Sequence, residues 1–299
     1  MRVLNFGSLN IDHIYRVSHI VTPGETIAAS TLSYAAGGKG LNQSLSLARS
    51  GLPTYHAGCI GTDGQSLRTL LEENGVHTDY LLPVDTVNGH AVIQVNRQGQ
   101  NSIVIFGGSN QAITREQIDR TLADFTPRDL VLMQNEVNMV DYIARRCAQL
   151  GIPLAFNPSP ISEELLARFP METVSYLLVN ETEAFDITGQ RQPSQVASVL
   201  MSKYPNMKLV MTLGSDGVFY ADAHTSLHQS GFRVNAVDTT GAGDTFTGFF
   251  LGLIMQGRSC AEALRYACAA AALAVTKPGA APAIPNMAEV EAFLQSRAE

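Results

Sequence analysis

Short apolar runs bounded by turn residues recur along the chain, at Val3 to Phe6, Tyr55 to Ile60, Leu130 to Met133, Leu154 to Phe156, Tyr176 to Val179 and Leu209 to Leu213. Runs this short and this continuously apolar suit strands covered on both faces, the usual condition of a parallel sheet. The segments Leu41 to Arg49, Gln65 to Glu73, Val140 to Leu150 and Pro193 to Lys203 carry apolar residues at three- and four-residue spacing, so they read as crossover helices. Strands alternating with such helices specify an α/β fold with a mostly parallel sheet and helices on both faces. Further helical segments follow at Ala242 to Met255, Cys260 to Thr276 and Ala288 to Gln295, split by Gly257 and by Lys277-Pro278-Gly279.

Two stretches break the rhythm. Residues 12–36 and 86–106 read as strands and hairpins inserted into the α/β body, with His90 to Asn96 and Asn101 to Phe106 flanking the polar turn Arg97-Gln98-Gly99-Gln100. Open α/β sheets bind ligands at the carboxyl ends of their strands, so a small sheet inserted there is a candidate lid. A plain hairpin or a dimer surface accounts for the same pattern, and the unpaired edges of a lid sheet suit a homodimer with a twofold partner. The expected architecture is one α/β domain over residues 1–299, with lid segments at about 12–36 and 86–106.

Composition narrows the function. With 45% hydrophobic and 16% charged residues in 299, the chain is too apolar to remain disordered. A formal charge of -7 leaves no basic field for phosphate backbones, which argues against nucleic-acid partners. The longest apolar stretch, Ala267 to Val275, falls well short of the ~20 residues of a membrane span, so no membrane partner is expected. Met1 to Phe6 lacks the basic segment and apolar core of an export signal, and a cytoplasmic location is expected. Cys59, Cys147, Cys260 and Cys268 are dispersed without a CxxC pair, as reduced thiols would be.

Two glycine-rich elements carry the chemistry. Ala36-Gly37-Gly38-Lys39-Gly40-Leu41-Asn42-Gln43 precedes an amphipathic run, so unpaired N–H groups of a helix start stand beside the donors of Lys39 and Asn42. Gly40 stands where a Walker A loop needs Ser or Thr, which rules that motif out. Asp238-Thr239-Thr240-Gly241-Ala242-Gly243-Asp244 opens the second helix, and the small residues Gly241, Ala242 and Gly243 bare N–H groups as an anion hole. Asp244, in the first turn of that helix, suits a general base that takes a hydroxyl proton while the glycines receive a phosphoryl group. Structural readings stay open beside these: a glycine turn before a helix, an ordinary first-turn acid at Asp244, and a helix cap at Asn180-Glu181-Thr182-Glu183.

Gly38-Lys39-Gly40-x-Asn42-Gln43, Asn180-Glu181-Thr182-Glu183 and Asp238-Thr-Thr-Gly-Ala-Gly-Asp244, in this order, resemble the ribokinase or PfkB-type carbohydrate kinase family. The resemblance spans essentially the whole chain and includes Gly7-Ser8-Leu9-Asn10-Ile11-Asp12, Asn157-Pro158-Ser159-Pro160 and Thr212-Leu213-Gly214-Ser215-Asp216-Gly217. It implies a ribokinase-like sheet with a β lid and an ATP-dependent kinase that phosphorylates a primary hydroxyl of a free sugar. D-ribose, giving ribose 5-phosphate, is the leading substrate; a nucleoside, deoxyribose or another pentose or ketohexose is the alternative, and a non-catalytic sugar sensor the rival from another class.

The resemblance also implies roles. Asp244 matches the base, with Gly241, Ala242 and Gly243 as the anion hole. Asn10, Asp12, Gly38, Lys39, Asn42 and Glu136 match sugar-binding positions. Asn180 and Glu183 match the element that organises magnesium through water, and Thr212, Gly214, Gly243 and Cys268 match nucleotide contacts. Asp238, Thr240, Ala274, Lys277 and Gly279 match a potassium loop. Five positions depart from the family pattern: Ala283 stands where a Ser commonly lies near the cation, Cys268 where the adenine pocket often has His or Asn, Phe249 where a small residue is usual, and Leu41 and Ser44 where the glycine motif usually has Ala.

Overall fold

The strand Val3–Phe6 is buried along its whole length and lies within a nine-stranded sheet. In the computed structural model, which describes residues 1–297, the strands run in the spatial order Ser226–Gln229, Val218–Ala221, Lys208–Thr212, Tyr176–Asn180, Leu154–Asn157, Leu130–Gln134, Val3–Phe6, Thr54–Ile60 and Val76–Pro83. Neighbours pair in parallel from Lys208–Thr212 to Val76–Pro83, whereas Val218–Ala221 and Ser226–Gln229 close one edge as an antiparallel hairpin. Apolar clusters cover both faces, one around Leu45, Phe249 and Leu264, the other around Ile118, Ile143 and Val196. All six expected strands are present in this sheet. Val76–Pro83 escaped the reading because half-burial at the edge dilutes its apolar signal with His77, Asp79 and Tyr80.

The four crossover helices expected from spacing occur at Lys39–Arg49, Gln65–Glu73, Val140–Leu150 and Pro193–Lys203. Later helices lie at Ala242–Met255, Cys260–Ala274 and Met287–Gln295. Of three further short helices, Arg115–Leu122 and Glu163–Arg168 lie outside the expected elements, whereas Glu181–Thr188 is the one left open by the cap reading of Asn180-Glu181-Thr182-Glu183. Asn180 does cap the last of these, in a reciprocal box with Glu183.

The inserted stretches form a separate four-stranded sheet in the order Thr31–Gly37, Asn10–Arg16, Gly89–Val95, Asn101–Phe106. It is mixed, because Asn10–Arg16 pairs antiparallel with Thr31–Gly37 and parallel with Gly89–Val95. Residues 17–30 of the first insertion are a connection outside the sheet. Asn10–Arg16 follows the carboxyl end of Val3–Phe6 by three residues, which fixes the small sheet at the carboxyl end of that strand, where open α/β sheets generally bind ligands.

The helices Lys39–Arg49 and Ala242–Met255 pack at a seam of small residues. A β-carbon at Gly248 would overlap the Ser46 side chain and lie 2.7 Å from the Leu47 nitrogen, and the Ser46 hydroxyl donates to the Thr245 carbonyl at 2.7 Å. Phe249, beside Gly248, points instead into the core and is fully buried, so its bulk does not open the seam. Gly248→Ala forces the helices apart, and an overpacking cost of about 1–3 kcal/mol is expected as a lower urea midpoint. An unchanged midpoint contradicts the seam described here.

Candidate active site

The seam delivers two side chains of one helix to the first turn of the other. Asn42 Nδ2 donates to Asp244 Oδ2 at 3.1 Å, and Gln43 Nε2 donates to Asp244 Oδ1 at 2.8 Å. Asp244 is buried, so both oxygens find N–H donors in place of water. Asn42 Oδ1 is buried without a partner among the described residues, an acceptor available to a ligand hydroxyl.

Gly241, with φ of 73°, adopts the left-handed conformation that a glycine takes at no steric cost, and no side chain caps the helix that follows. The first-turn N–H groups of such a helix have no intrahelical partner. The Ala242 N–H is spent on the Thr239 carbonyl at 3.3 Å, so of the expected anion hole the Gly241 and Gly243 N–H groups, alongside that of Asp244, have no acceptor among the described residues.

A cavity of about 250 Å³ opens here, lined by Lys39, Asn180, Glu183, Thr212, Gly243 and Asp244 among others. It adjoins a larger one of about 540 Å³ through the shared residues Thr212, Thr239, Gly243 and Phe246. The larger cavity is lined by Gly214, Gly217, Phe232, Cys268, Ala271 and Val275, an apolar slot suited to a flat ring. Burial pushes the Cys268 thiol up to about 12, so it lines the slot as a neutral group. Of the Glu183 carboxylate, Oε2 accepts the Asn180 N–H at 3.0 Å, and Oε1 has no hydrogen-bond donor among the described residues.

Two further acids, Glu136 and Asp12, act on one another, and Glu136 feels the charge of Asp244. Glu136 accepts hydrogen bonds from the Ser8 hydroxyl and, at 2.9 Å, from the Lys39 N–H. Burial raises the Glu136 carboxyl, against the pull of those donors. Asp12, on the small-sheet strand Asn10–Arg16, is raised to about 6, by burial first and then by the charge of Glu136. Lys39 is held above its usual range by Asp244 first, with Glu136 and Glu183 adding to the effect against burial. Asn10 is buried on the same strand and accepts from Asn110 Nδ2 at 2.8 Å. Gly38 caps the helix that starts at Lys39.

Behind the glycine loop, Asp238 accepts from Thr240 N at 3.0 Å, Thr240 Oγ1 at 2.7 Å and Gly279 N at 2.9 Å. Burial would raise its carboxyl, but these donors outweigh it and hold the group below the usual range. The Ala274 carbonyl accepts the Lys277 N–H at 3.1 Å, and the Lys277 ammonium turns to Glu289 at 3.0 Å. Ala283 is buried and offers no hydroxyl.

Residues 2–287 match the sequence model of pfkB family carbohydrate kinases. The chain belongs to the pfkB family of carbohydrate kinases. It is 35% identical over 303 aligned positions to a ribokinase of Haemophilus influenzae, covering 97% of each chain. A ribokinase structure from Thermotoga maritima superposes with a TM-score of 0.87 at 32% identity, covering 99% of both chains. The Arabidopsis thaliana ribokinase complexed with ribose and ATP superposes with a TM-score of 0.85 at 31% identity, covering 98% of both. Membership makes this protein an ATP-dependent sugar kinase with the ribokinase-like α/β fold.

Within this pfkB kinase, the expected site residues fall into three connected groups around Asp244, at the acids, the paired cavities and the Asp238 loop. Beneath them lie buried polar residues that carry no expected role, Asn5, Ser44, His56 and Gln134, together with Gln43 and Asn157, which stand in the motifs without one. Polar side chains inside otherwise apolar strands were the available signal.

Because the Asp12 pKa of about 6 lies above its ordinary 3.8, ionising it in the fold costs stability. That cost is absent below about pH 4, grows as pH rises through 6 and is full near pH 8. Asp12→Asn is therefore expected to raise the thermal midpoint at about pH 8, with the gain closing as pH falls to 4. A gain independent of pH contradicts the burial of an ionised carboxylate.

Proposed function

We propose that this pfkB kinase transfers the γ-phosphoryl group of ATP to the 5-hydroxyl of D-ribose, with Asp244 as the general base. The observation that carries the reading is a buried carboxylate held by Asn42 and Gln43, next to free first-turn N–H groups and lining a polar chamber that adjoins an apolar slot. The apolar slot suits an adenine, and Gly243 leads from it to the smaller chamber, where the phosphates meet the helix start. Asp12, Asn10, Asn42 and Glu136 offer the sugar hydroxyls acceptors and donors. A hydroxyl lodged there reaches Asp244, which takes its proton as the phosphoryl group arrives in line. Lys39 and the Gly243 N–H meet the charge on the transferring group.

Magnesium neutralises phosphate charge in such transfers and keeps most of its own waters. Glu183, with one oxygen free of internal donors, and Asn180 would hold those waters from the chamber wall. Oxygen donors suit a hard cation, and no group of three or more His, Cys, Asp or Glu among the described residues makes a separate metal site. For potassium, an ionised Asp238, already accepting from Thr240 and Gly279, is the charged ligand of the matched loop, with Ala283 withholding one further ligand. The exposed Leu32, Tyr34, Val104 and Phe106 of the lid support a homodimer through that sheet.

Asp244→Asn keeps size and helix geometry while removing the proton acceptor, so kcat is expected to fall by at least ~100-fold with ATP binding retained. Near-normal turnover refutes the base. Coupled-assay turnover across free pentoses, ketohexoses and nucleosides is expected to be highest with D-ribose, and a nucleoside in first place overturns the substrate. Potassium chloride, titrated at constant ionic strength set by a bulky organic cation, is expected to raise the rate; a flat response removes the cation loop.

A further inference from the structure

A stripe of polar side chains lies beneath Asp244 on one face of the sheet, where an apolar face is the rule. Asn5 and His56 are register partners on adjacent strands, as are Gln134 and Asn157, and all four are buried. Gln43 reaches the stripe from the helix Lys39–Arg49. Its Nε2 donates to Asp244 Oδ1 at 2.8 Å and to Asn157 Oδ1 at 3.3 Å, while its Oε1 accepts from Gln134 Nε2 at 2.6 Å.

The direction of every bond can be deduced from the far end. The Gly7 carbonyl only accepts, so His56 Nε2, at 3.1 Å, carries the proton. Burial pushes the His56 pKa down to about 4, so the ring is neutral and its Nδ1 accepts from the Ser44 hydroxyl at 2.8 Å. Ser44 Oγ in turn accepts from Asn5 Nδ2 at 2.9 Å, which leaves Asn5 Oδ1 to accept from Gln134 Nε2 at 3.0 Å. The second hydrogen of Gln134 Nε2 then goes to Gln43 Oε1. Flipping the Gln134 amide would set its oxygen against two oxygens, and flipping Gln43 would set its oxygen against Asp244. Gln134 Oε1 is left buried and unpartnered among the described residues, the cost of holding that orientation.

We propose that Gln43 is a positioning residue for the reaction: its amide, locked by Gln134 and the Asn5–Ser44–His56 chain, fixes the rotation of the Asp244 carboxylate so that it meets the acceptor hydroxyl. The proposal rests on Asp244 being the base. A carboxylate free to rotate loses alignment with the hydroxyl, and misplacement on the scale of 1 Å costs up to ~100-fold in rate. Gln43 contributes to orientation in the transition state and not to ligand affinity, so its loss should separate kcat from KM.

The test compares Gln43→Met, which keeps the length of the side chain and removes its donors, with Asp244→Asn. Rates are expressed per ATP-binding site, counted by titration, so that misfolded enzyme does not enter. The expected result for Gln43→Met is a kcat lower by about 10- to 100-fold, with KM for ribose and for ATP within about twofold of the wild type. Wild-type kcat in Gln43→Met beside an inactive Asp244→Asn overturns the positioning role alone. Normal kcat in Asp244→Asn overturns the base instead. A parallel rise in both KM values with unchanged kcat also counts against positioning. If Gln43→Met fails to fold, Gln134→Met, which releases the Gln43 amide without touching Asp244, is read by the same split: a lower kcat at constant KM supports the proposal, and an unchanged kcat overturns it.

Discussion

A buried carboxylate must be given hydrogen-bond donors by the protein, and the two amides that serve Asp244 come from a helix about 200 residues earlier in the chain. That requirement governs much of the structure around it. The helices Lys39–Arg49 and Ala242–Met255 must approach closely, which is met by Gly248 against Ser46 and Gly252 against Ser50. Both helices must also begin at the same end of the sheet, and both follow glycine turns, at Gly38 and Gly241. The site is thus the meeting point of two helix starts, one dressed for hydroxyls and one left bare for an anion.

The site is also where the fold works against itself. Asp12 is lifted to about 6 by burial beside Glu136, and Gln134 leaves an oxygen without a partner. Neither is needed to hold the sheet together, since the apolar clusters on its two faces do that. Local costs of this kind are expected where side chains are kept ready for a ligand. The Asn180–Glu183 pair shows a gentler arrangement, because one carboxylate oxygen closes the helix cap while the other is left for the chamber.

Much of this was legible in the sequence. Fully buried strands such as Leu130–Gln134 announce themselves by continuous apolarity, and the glycine turns by what glycine alone allows at a helix start. Val76–Pro83 was hidden because an edge strand mixes faces, and the short helix Glu181–Thr188 because its cap was clearer than its body. The spent N–H of Ala242 could not be read from a row of small residues, since it depends on where Thr239 folds back. The roles of Gln43 and Gln134 are hidden for a similar reason: a polar residue in the apolar strand Leu130–Gln134 signals something, but what it does depends on its partner on another element.

Ribose and ATP are proposed to meet at Asp244, the sugar below the small sheet and the nucleotide in the apolar slot. A crystal structure of the enzyme with ribose and a non-hydrolysable ATP analogue tests it most directly. The ribose 5-hydroxyl is expected within about 2.6–3.2 Å of an Asp244 oxygen and in line with the γ-phosphorus, with Gln43 still bonded to the carboxylate. A sugar bound with that hydroxyl turned away from Asp244, or a γ-phosphate remote from Gly243, would contradict it.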